Sequence, residues 1–378
     1  MKKFTKIIAI FLAFVTIFCL KAHGQTAVAR SVDFCSAKSM IVMETMHNRV
    51  LYSKNENEKL PMASTTKIVS ALTVIENCDD LDKLVTVPKS ATLVEGSSIY
   101  LKAGEQLTIK QLLYGLMLQS GNDSAETLAL EIGGTIEHFA ELMNETALKC
   151  GATSSHFVTP HGLDDKEHYT TAHDLALITS YALKNPVFKQ IVSAKSFVIK
   201  QTEHNSARTL VNKNKLLTSL EGCIGVKTGY TRKSGRCLVS ACERDGMQVV
   251  CVVLNDRPMF EDSEKLLEQA FKEYKLYEIL PSYKFVSDIA VENGKASSLR
   301  LYNKEGYSVV AKESEIDKYV VEYDYEKQVK APIEKDKKLG EVKIYYDKTL
   351  IFSENLCSIE SVDGVEPVDV IKEILDKW

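Results

Sequence analysis

Helical and strand-like patterns are segregated along this 378-residue chain, and that segregation limits its possible folds more than any other feature. From about residue 110 to 185 four helical patterns follow one another: "TIKQLLYGLMLQS", "DSAETLALEIGG", "TIEHFAELMNETALKCG" and "TTAHDLALITSYALKN". Thr171 with Asp174 three residues on resembles a capping box at the start of the last. Ahead of this block, "SMIVMETMHNRVLYS" (39–53) reads as two short strands about a turn at His47–Asn48. One more helix starts near Ser64, where Ile68, Val69, Ala71, Leu72, Val74 and Ile75 keep an apolar stripe. Residues 84–110 are β-like and loop-like, broken by Gly96 and Gly104. Behind the helical block strands return near residue 195, and "GRCLVSACERDGMQVVCVVLN" reads as a hairpin about Asp245–Gly246. "SEKLLEQAFKEYKLY" closes the block as an amphipathic helix.

After about residue 280 the texture changes to apolar–polar alternation with turns at Asn293–Gly294 and Glu305–Gly306. This predicts a small all-β domain of about 75 to 80 residues. The chain ends in "VDVIKEILDKW", which places Val368, Ile371, Leu375 and Trp378 on one helical face. That face suits a membrane surface, or packing on the β domain; its polar side carries three acids and two lysines and lacks the usual basic character.

At the other end, Lys2, Lys3 and Lys6 precede a 14-residue run, "IIAIFLAFVTIFCL", and then small residues at Ala22 and Gly24. This is the layout of a secretory signal peptide, too short for a comfortable membrane span. Cleavage near Gly24–Gln25 removes four lysines and takes the net charge from −4 to −8. The acidic balance argues against a nucleic-acid partner. Export permits disulfides. The eight remaining cysteines are scattered through apolar segments with no CxxC, however, and are expected to be mostly unpaired core thiols.

The chemistry begins at "PMASTTKI". Ser64 and Lys67 are three apart and share a helix face, so a hydroxyl can lie beside an amine. Ser64-x-x-Lys67 is the sole Ser-x-x-Lys in the chain, but alone it is weak, and Ser64 could equally be an N-cap. Ser-x-Asn occurs three times, and only Ser120-Gly121-Asn122 lies between Ser64-x-x-Lys67 and the one Lys-Thr-Gly, residues 227–229. That ordered triple is the set found in class A β-lactamases and penicillin-binding proteins, and the conjunction is far more specific than its parts.

The sequence therefore resembles the low-molecular-mass penicillin-binding proteins, the serine-type D-alanyl-D-alanine carboxypeptidases. The likeness extends through "YSKNENEKLPMASTTKI", "LMLQSGNDSAETLA", "HFVTPHGLDDKEHYTTAHDLALI", "NKNKLL" and "GVKTGYT", covering roughly residues 35–275. It implies an α+β fold: a β-lactamase/DD-peptidase-like domain, with an antiparallel sheet flanked by helices and a helical subregion, followed by the small all-β domain. The expected divisions are 1–24 signal peptide, 25–278 catalytic domain, 279–362 β domain and 363–378 amphipathic helix. The resemblance implies Ser64 as nucleophile, Lys67 as its base and Ser120 as proton relay to the leaving amine. It implies Asn122 as holder of the substrate amide, and Lys227 and Thr228 as binders of the terminal carboxylate. Gly229 and Tyr230 complete the substrate-binding set, with an oxyanion hole from the backbone N–H groups of Ser64 and Tyr230. No metal or cofactor is implied. The implied partners are a peptidoglycan stem peptide ending in D-Ala-D-Ala and β-lactams as covalent inhibitors, met on the extracytoplasmic face of the membrane or in the wall.

Three other readings compete. A β-lactamase needs a glutamate for its deacylating water; Glu141 in "ELMN" superficially fits but reads as a solvated mid-helix residue. A zinc peptidase draws on His156, His161, His168 and His173 with Asp164, Asp165 and Asp174, without a His-Glu-x-x-His. A non-catalytic wall-binding protein on the same scaffold would form no penicillin adduct. His161-Gly162-Leu163 is read as a structural turn near the site and Asp174 as a helix-start residue.

Overall fold

A computed structural model describes residues 35–368 together with Ile371 and Leu375. The signal-peptide pattern, and Trp378 with most of the terminal helix, lie outside the described residues. The chain divides into two compact units, one ending at Glu273 and one beginning at Tyr274.

The first unit runs β1 (Ser39–Glu44), β2 (Val50–Lys54), α1 (Lys67–Glu76), β3 (Leu84–Thr86), β4 (Gln106–Thr108), α2 (Ile109–Leu118), α3 (Asn122–Gly133), α4 (Ile136–Lys149), α5 (Ala172–Ala182), α6 (Pro186–Ser193), β5 (Ser196–Ile199), β6 (Arg208–Val211), α7 (Leu216–Ser219), β7 (Cys223–Thr231), β8 (Gly235–Arg244), β9 (Met247–Leu254) and α8 (Met259–Glu273). Five strands form one antiparallel sheet in the order β2-β1-β9-β8-β7. The two hairpins read from sequence are thus joined edge to edge, Ser39 opposite Leu254. Helices α5 and α8 both pack against β1 and β9. With both faces covered, every residue of β1 is buried, which is why "SMIVME" reads as a continuous apolar run instead of alternating. The helical block buries Phe139, Met143, Phe157, Leu112, Leu116 and Leu128 in one core with the sheet's inner residues.

Local chemistry sets the element ends. Thr108 caps α2 in a reciprocal capping box with Gln111. At α5 only half of such a box forms: the Thr171 hydroxyl accepts from the Asp174 amide. The Asp174 carboxylate turns instead to the Ser154 amide and Ser155 hydroxyl, at 2.7 and 2.8 Å. It thereby ties the 154–155 loop to the helix start.

The second unit comprises β10 (Lys275–Leu280), β11 (Phe285–Glu292), β12 (Ser298–Asn303), β13 (Tyr307–Ala311), β14 (Tyr319–Tyr325), β15 (Gln328–Lys330), β16 (Lys338–Tyr346) and β17 (Thr349–Ser358). Six strands form a sheet in the order β14-β16-β17-β12-β11-β15, and β10 pairs with β13. Leu280, Ile289, Leu299, Leu301, Ile344 and Leu356 form its separate core. The fold is α+β followed by an all-β unit, as the motifs implied. One boundary differs. The closing helix, expected to reach Tyr277, stops at Glu273, and Lys275 begins a strand opposite Ala311. "KLYEIL" can continue the helical pattern or pair as an edge strand, and β13, more than 30 residues later, decides it. The eight described cysteines are all free thiols. Val368, Ile371 and Leu375 are helical and exposed, and no helix among the described residues is long and apolar enough to cross a membrane.

Candidate active site

Ser64 does not cap a helix. It lies in a 3-10 turn, Ala63–Thr66, that leads directly into α1, and the Lys67 amide donates to the Ser64 carbonyl. In a 3-10 turn side chains three apart eclipse, so the Ser64 hydroxyl and the Lys67 amine are brought closer to alignment than α-helical geometry allows. The Lys67 Nζ lies 3.1 Å from Ser64 Oγ, 2.7 Å from Asn122 Oδ1 and 2.8 Å from the His161 carbonyl oxygen. A neutral amine has two N–H groups and one lone pair. The two shorter contacts accept the N–H groups, which leaves the lone pair facing the serine hydroxyl.

Lys67 is completely buried, and its pKa is pushed well below that of a free lysine, first by burial and then by the positive charges of Lys227 and Lys213. Asp123 acts in the opposite sense, though its carboxylate is occupied by the Ser98 hydroxyl and the Ile99 and Leu101 amides. Lys227, also buried, falls to about 7 through burial and the Lys213 charge. Two buried lysines thus share one poorly solvated neighbourhood, with the exposed Lys213 near enough for its charge to act on both.

Loop geometry holds this arrangement. Asn122 starts α3 and spends both ends of its side-chain amide: Oδ1 on Lys67, Nδ2 on the Glu95 carbonyl at 2.5 Å. Ser120, two residues earlier, has φ +63°, and its buried Oγ has no hydrogen-bond partner. Ala63, just before the candidate nucleophile, has φ +51°. Such conformations cost of order 1–3 kcal/mol and cluster where a site is over-determined by its surroundings. On the other wall, a Cβ at Gly229 would sit 3.0 Å from both the Met62 carbonyl oxygen and the Ser64 amide nitrogen, so only glycine lets β7 approach the Ser64 turn this closely. Gly162 plays the same part beneath: φ is +85°, and an added Cβ would lie 2.0 Å from the Ala63 carbonyl oxygen. Gly162→Ala is therefore expected to lower the melting temperature by several degrees and slow β-lactam acylation together, because it displaces Ala63–Ser64; unchanged acylation kinetics would show that the turn does not hold the serine.

A cleft of about 740 Å³ is lined by Ser64, Ser120, Thr228, Gly229 and Tyr230, together with Lys213, Arg236 and Arg257. Of the residues singled out from sequence, Lys67, Asn122 and Lys227 lie buried behind this lining, not on it. None of Lys213, Arg236 and Arg257 has an anionic partner among the described residues. Motif reading missed all three. Lys213 stood in the quoted "NKNKLL" and Arg257 just after the β9 pattern, but neither belongs to a motif of fixed spacing.

The other candidate residues have structural employment. His168 is buried and bonds Thr66 Oγ1 at 2.8 Å; burial lowers its pKa to about 3, so it is neutral. The imidazole of His161 lies 3.4 Å from Glu126. Glu141 is largely exposed on α4 beside His138, far from the demands of a water-activating base.

The chain is similar to known proteins over most of its length. A family model described as D-alanyl-D-alanine carboxypeptidase matches residues 25–258, and one described as penicillin-binding protein 5, C-terminal domain, matches residues 274–363. D-alanyl-D-alanine carboxypeptidase DacC of Escherichia coli is 33% identical over 369 residues, 93% of this chain and 90% of that one. DacF of Bacillus subtilis is 29% identical over 350 residues, 90% of each. The crystal structure of penicillin-binding protein 5 from Haemophilus influenzae superposes with a TM-score of 0.70 at 25% identity, covering 89% of this chain and all of that one.

Proposed function

Since the chain belongs to the D-alanyl-D-alanine carboxypeptidase family, we propose that it removes the terminal D-alanine from peptidoglycan stem peptides through an acyl-enzyme on Ser64. The observation that carries this reading is the 3.1 Å contact between Ser64 Oγ and a buried Lys67 amine deprived of solvation. A serine hydroxyl is a poor nucleophile until a base takes its proton, and Lys67 is placed and tuned to take it.

In this mechanism Ser64 attacks the carbonyl carbon between the two D-alanines while Lys67 accepts the proton. Backbone N–H groups of Ser64 and Tyr230 receive the developing oxyanion, each such donor contributing about 3 to 4 kcal/mol. Ser120 Oγ, partnerless in the free protein, passes a proton to the leaving amine. Thr228 and the unpaired cations of the cleft bind the terminal carboxylate, with Lys227 supplying positive potential from behind Thr228. Gly229 gives the strand its close approach. Asn122 orients Lys67 in the free protein, and contact with the substrate amide requires the Nδ2 group it now gives to Glu95. Water then hydrolyses the ester. Penicillin enters the same path and leaves its whole acyl mass on the serine, so a peptide map showing that mass on any residue but Ser64 would remove the assignment.

Lys213 sets the pH range. Its charge depresses both Lys67 and Lys227. Lys213→Gln raises the Lys67 pKa, so less amine is neutral at a given pH; the acidic limb of kcat/KM moves to higher pH and the rate at pH 7 falls several-fold. A profile that drops in height without moving would assign Lys213 to substrate binding alone.

The enzyme acts outside the cytoplasm, on wall peptides. The N-terminal pattern of residues 1–24 supports export by a cleaved signal peptide. The exposed row Val368, Ile371 and Leu375 supports peripheral attachment of the C-terminal segment to the membrane surface. Deleting residues 363–378 from the mature chain is expected to abolish co-sedimentation with lipid vesicles and spare D-alanine release; equal co-sedimentation of both forms would end the attachment proposal.

A further inference from the structure

Away from the cleft, where the chain enters β1, three potential anions meet in the interior. The Sγ of Cys35 and one carboxylate oxygen each from Asp256 and Asp262 lie within 4.8 Å of one another, and all three residues are buried. Asp256 is fully inaccessible, and its Oδ2 has no hydrogen-bond partner. The rest of the cluster is well ordered. Ser36 Oγ donates to Asp256 Oδ1 at 2.5 Å, and the Ser36 amide to Asp262 Oδ2 at 2.7 Å. These bonds fix both carboxylates with Asp256 Oδ2 left over. Lys54, whose charge acts on both Cys35 and Asp256, spends its amine on the Cys35 carbonyl at 3.0 Å.

An inward-facing carboxylate oxygen without a donor is costly to bury, at about 1–3 kcal/mol or more for a charged group. The cluster places this acid and Asp262 beside the Cys35 thiol, so that three groups able to carry negative charge face one another out of water. A divalent cation reverses every one of these costs. Ligands around four-coordinate zinc at about 2.0–2.3 Å stand roughly 3.5 Å apart, so the three atoms need to close by about 1.3 Å at most. One thiolate with two carboxylates is a donor set zinc accepts, and exposed Ser36 leaves a short path for the ion and for solvent as a fourth ligand.

We propose that Cys35, Asp256 and Asp262 form a structural divalent-cation site, with zinc the best-fitting ion, that pins the start of the domain to the junction of β9 and α8. As the S–Zn bond forms, the Cys35 thiol gives its proton to solvent, so binding tightens as pH rises. The site is not catalytic. Its consequence reaches the cleft because Asp256 sits between Asn255 and Arg257, both of which line it. Fixing Asp256 fixes the backbone from which Arg257 projects.

The test is titration of the mature, metal-free chain with Zn²⁺ against a chromogenic chelator, and with Co²⁺ read by its thiolate charge-transfer band. The expected result is one equivalent bound, a melting temperature raised by several degrees and a cobalt band. C35S should lose the band, and D256N should lose the thermal response while being at least as stable without metal, because it removes an uncompensated buried acid. C78S, a half-exposed thiol elsewhere, should behave as wild type. No binding by the wild type, or binding and band unchanged in both C35S and D256N, overturns the proposal. Because D256N is expected to keep the fold, misfolding of C35S leaves the test decisive.

Discussion

Ser64→Ala is expected to release D-alanine from a D-Ala-D-Ala pentapeptide on the order of 10⁴–10⁶-fold more slowly than wild type, and to form no penicillin adduct. The effect is this large because the acyl-enzyme requires an oxygen at that position, and no other hydroxyl among the described residues is in hydrogen-bond contact with Lys67. The fold should scarcely notice. Ser64 Oγ makes one hydrogen-bond contact, with Lys67, and is partly exposed, so the melting temperature should move by what about 1 kcal/mol or less produces. That contrast separates chemistry from folding. Comparable D-alanine release by folded wild type and folded Ser64→Ala would falsify the serine mechanism.

Lys67→Ala is expected to slow acylation by about 10²–10⁴-fold, the usual span for loss of a positioned general base. Here stability should also suffer. The Asn122 side-chain oxygen and the His161 carbonyl lose a buried donor, each at about 1–3 kcal/mol. Lys67→Arg is the sharper experiment. A guanidinium can satisfy those acceptors but stays protonated at any working pH, so it should keep part of the stability and none of the rate. In wild type the acylation rate should rise with pH as Lys67 loses its proton and level off once it is neutral, at a pH well below the usual lysine range. If Lys67→Arg acylates at a rate near wild type, the amine is an electrostatic partner and the base lies elsewhere.

Much of this was legible in the chain. The hairpin about Asp245–Gly246 announced itself because its turn and its apolar runs are local: Asp245 has the left-handed φ of +49° and Gly246 follows at +76°. The α2–α5 block was legible for the same reason, since amphipathic spacing and the Thr108 and Thr171 caps act within a few residues. What failed was non-local. The helix-versus-strand choice at Lys275–Leu280 depended on β13, and the Asp174 carboxylate found its donors 20 residues back in the chain at Ser154 and Ser155. Ser64 as N-cap was a reasonable local alternative; the 3-10 turn, imposed by the close approach of Gly229 and Gly162, displaced it.

The sequence by itself determined the chemical inventory and its order: one serine three residues before one lysine, a Ser-Gly-Asn and a Lys-Thr-Gly, set among helices that bury one face and strands that bury two. It could not set the protonation of the amine. Residue spacing places a hydroxyl beside Lys67, but a pKa answers to the dielectric and the charges around the group in space. Those come first from burial and then from Lys227 and Lys213, brought from distant parts of the chain by the packing of the helical block against the sheet. Tertiary structure also placed the exposed cations Lys213, Arg236 and Arg257 at one cleft, and gathered three potential anions at Asp256, where charge is costly because folding has excluded the water that would have screened it.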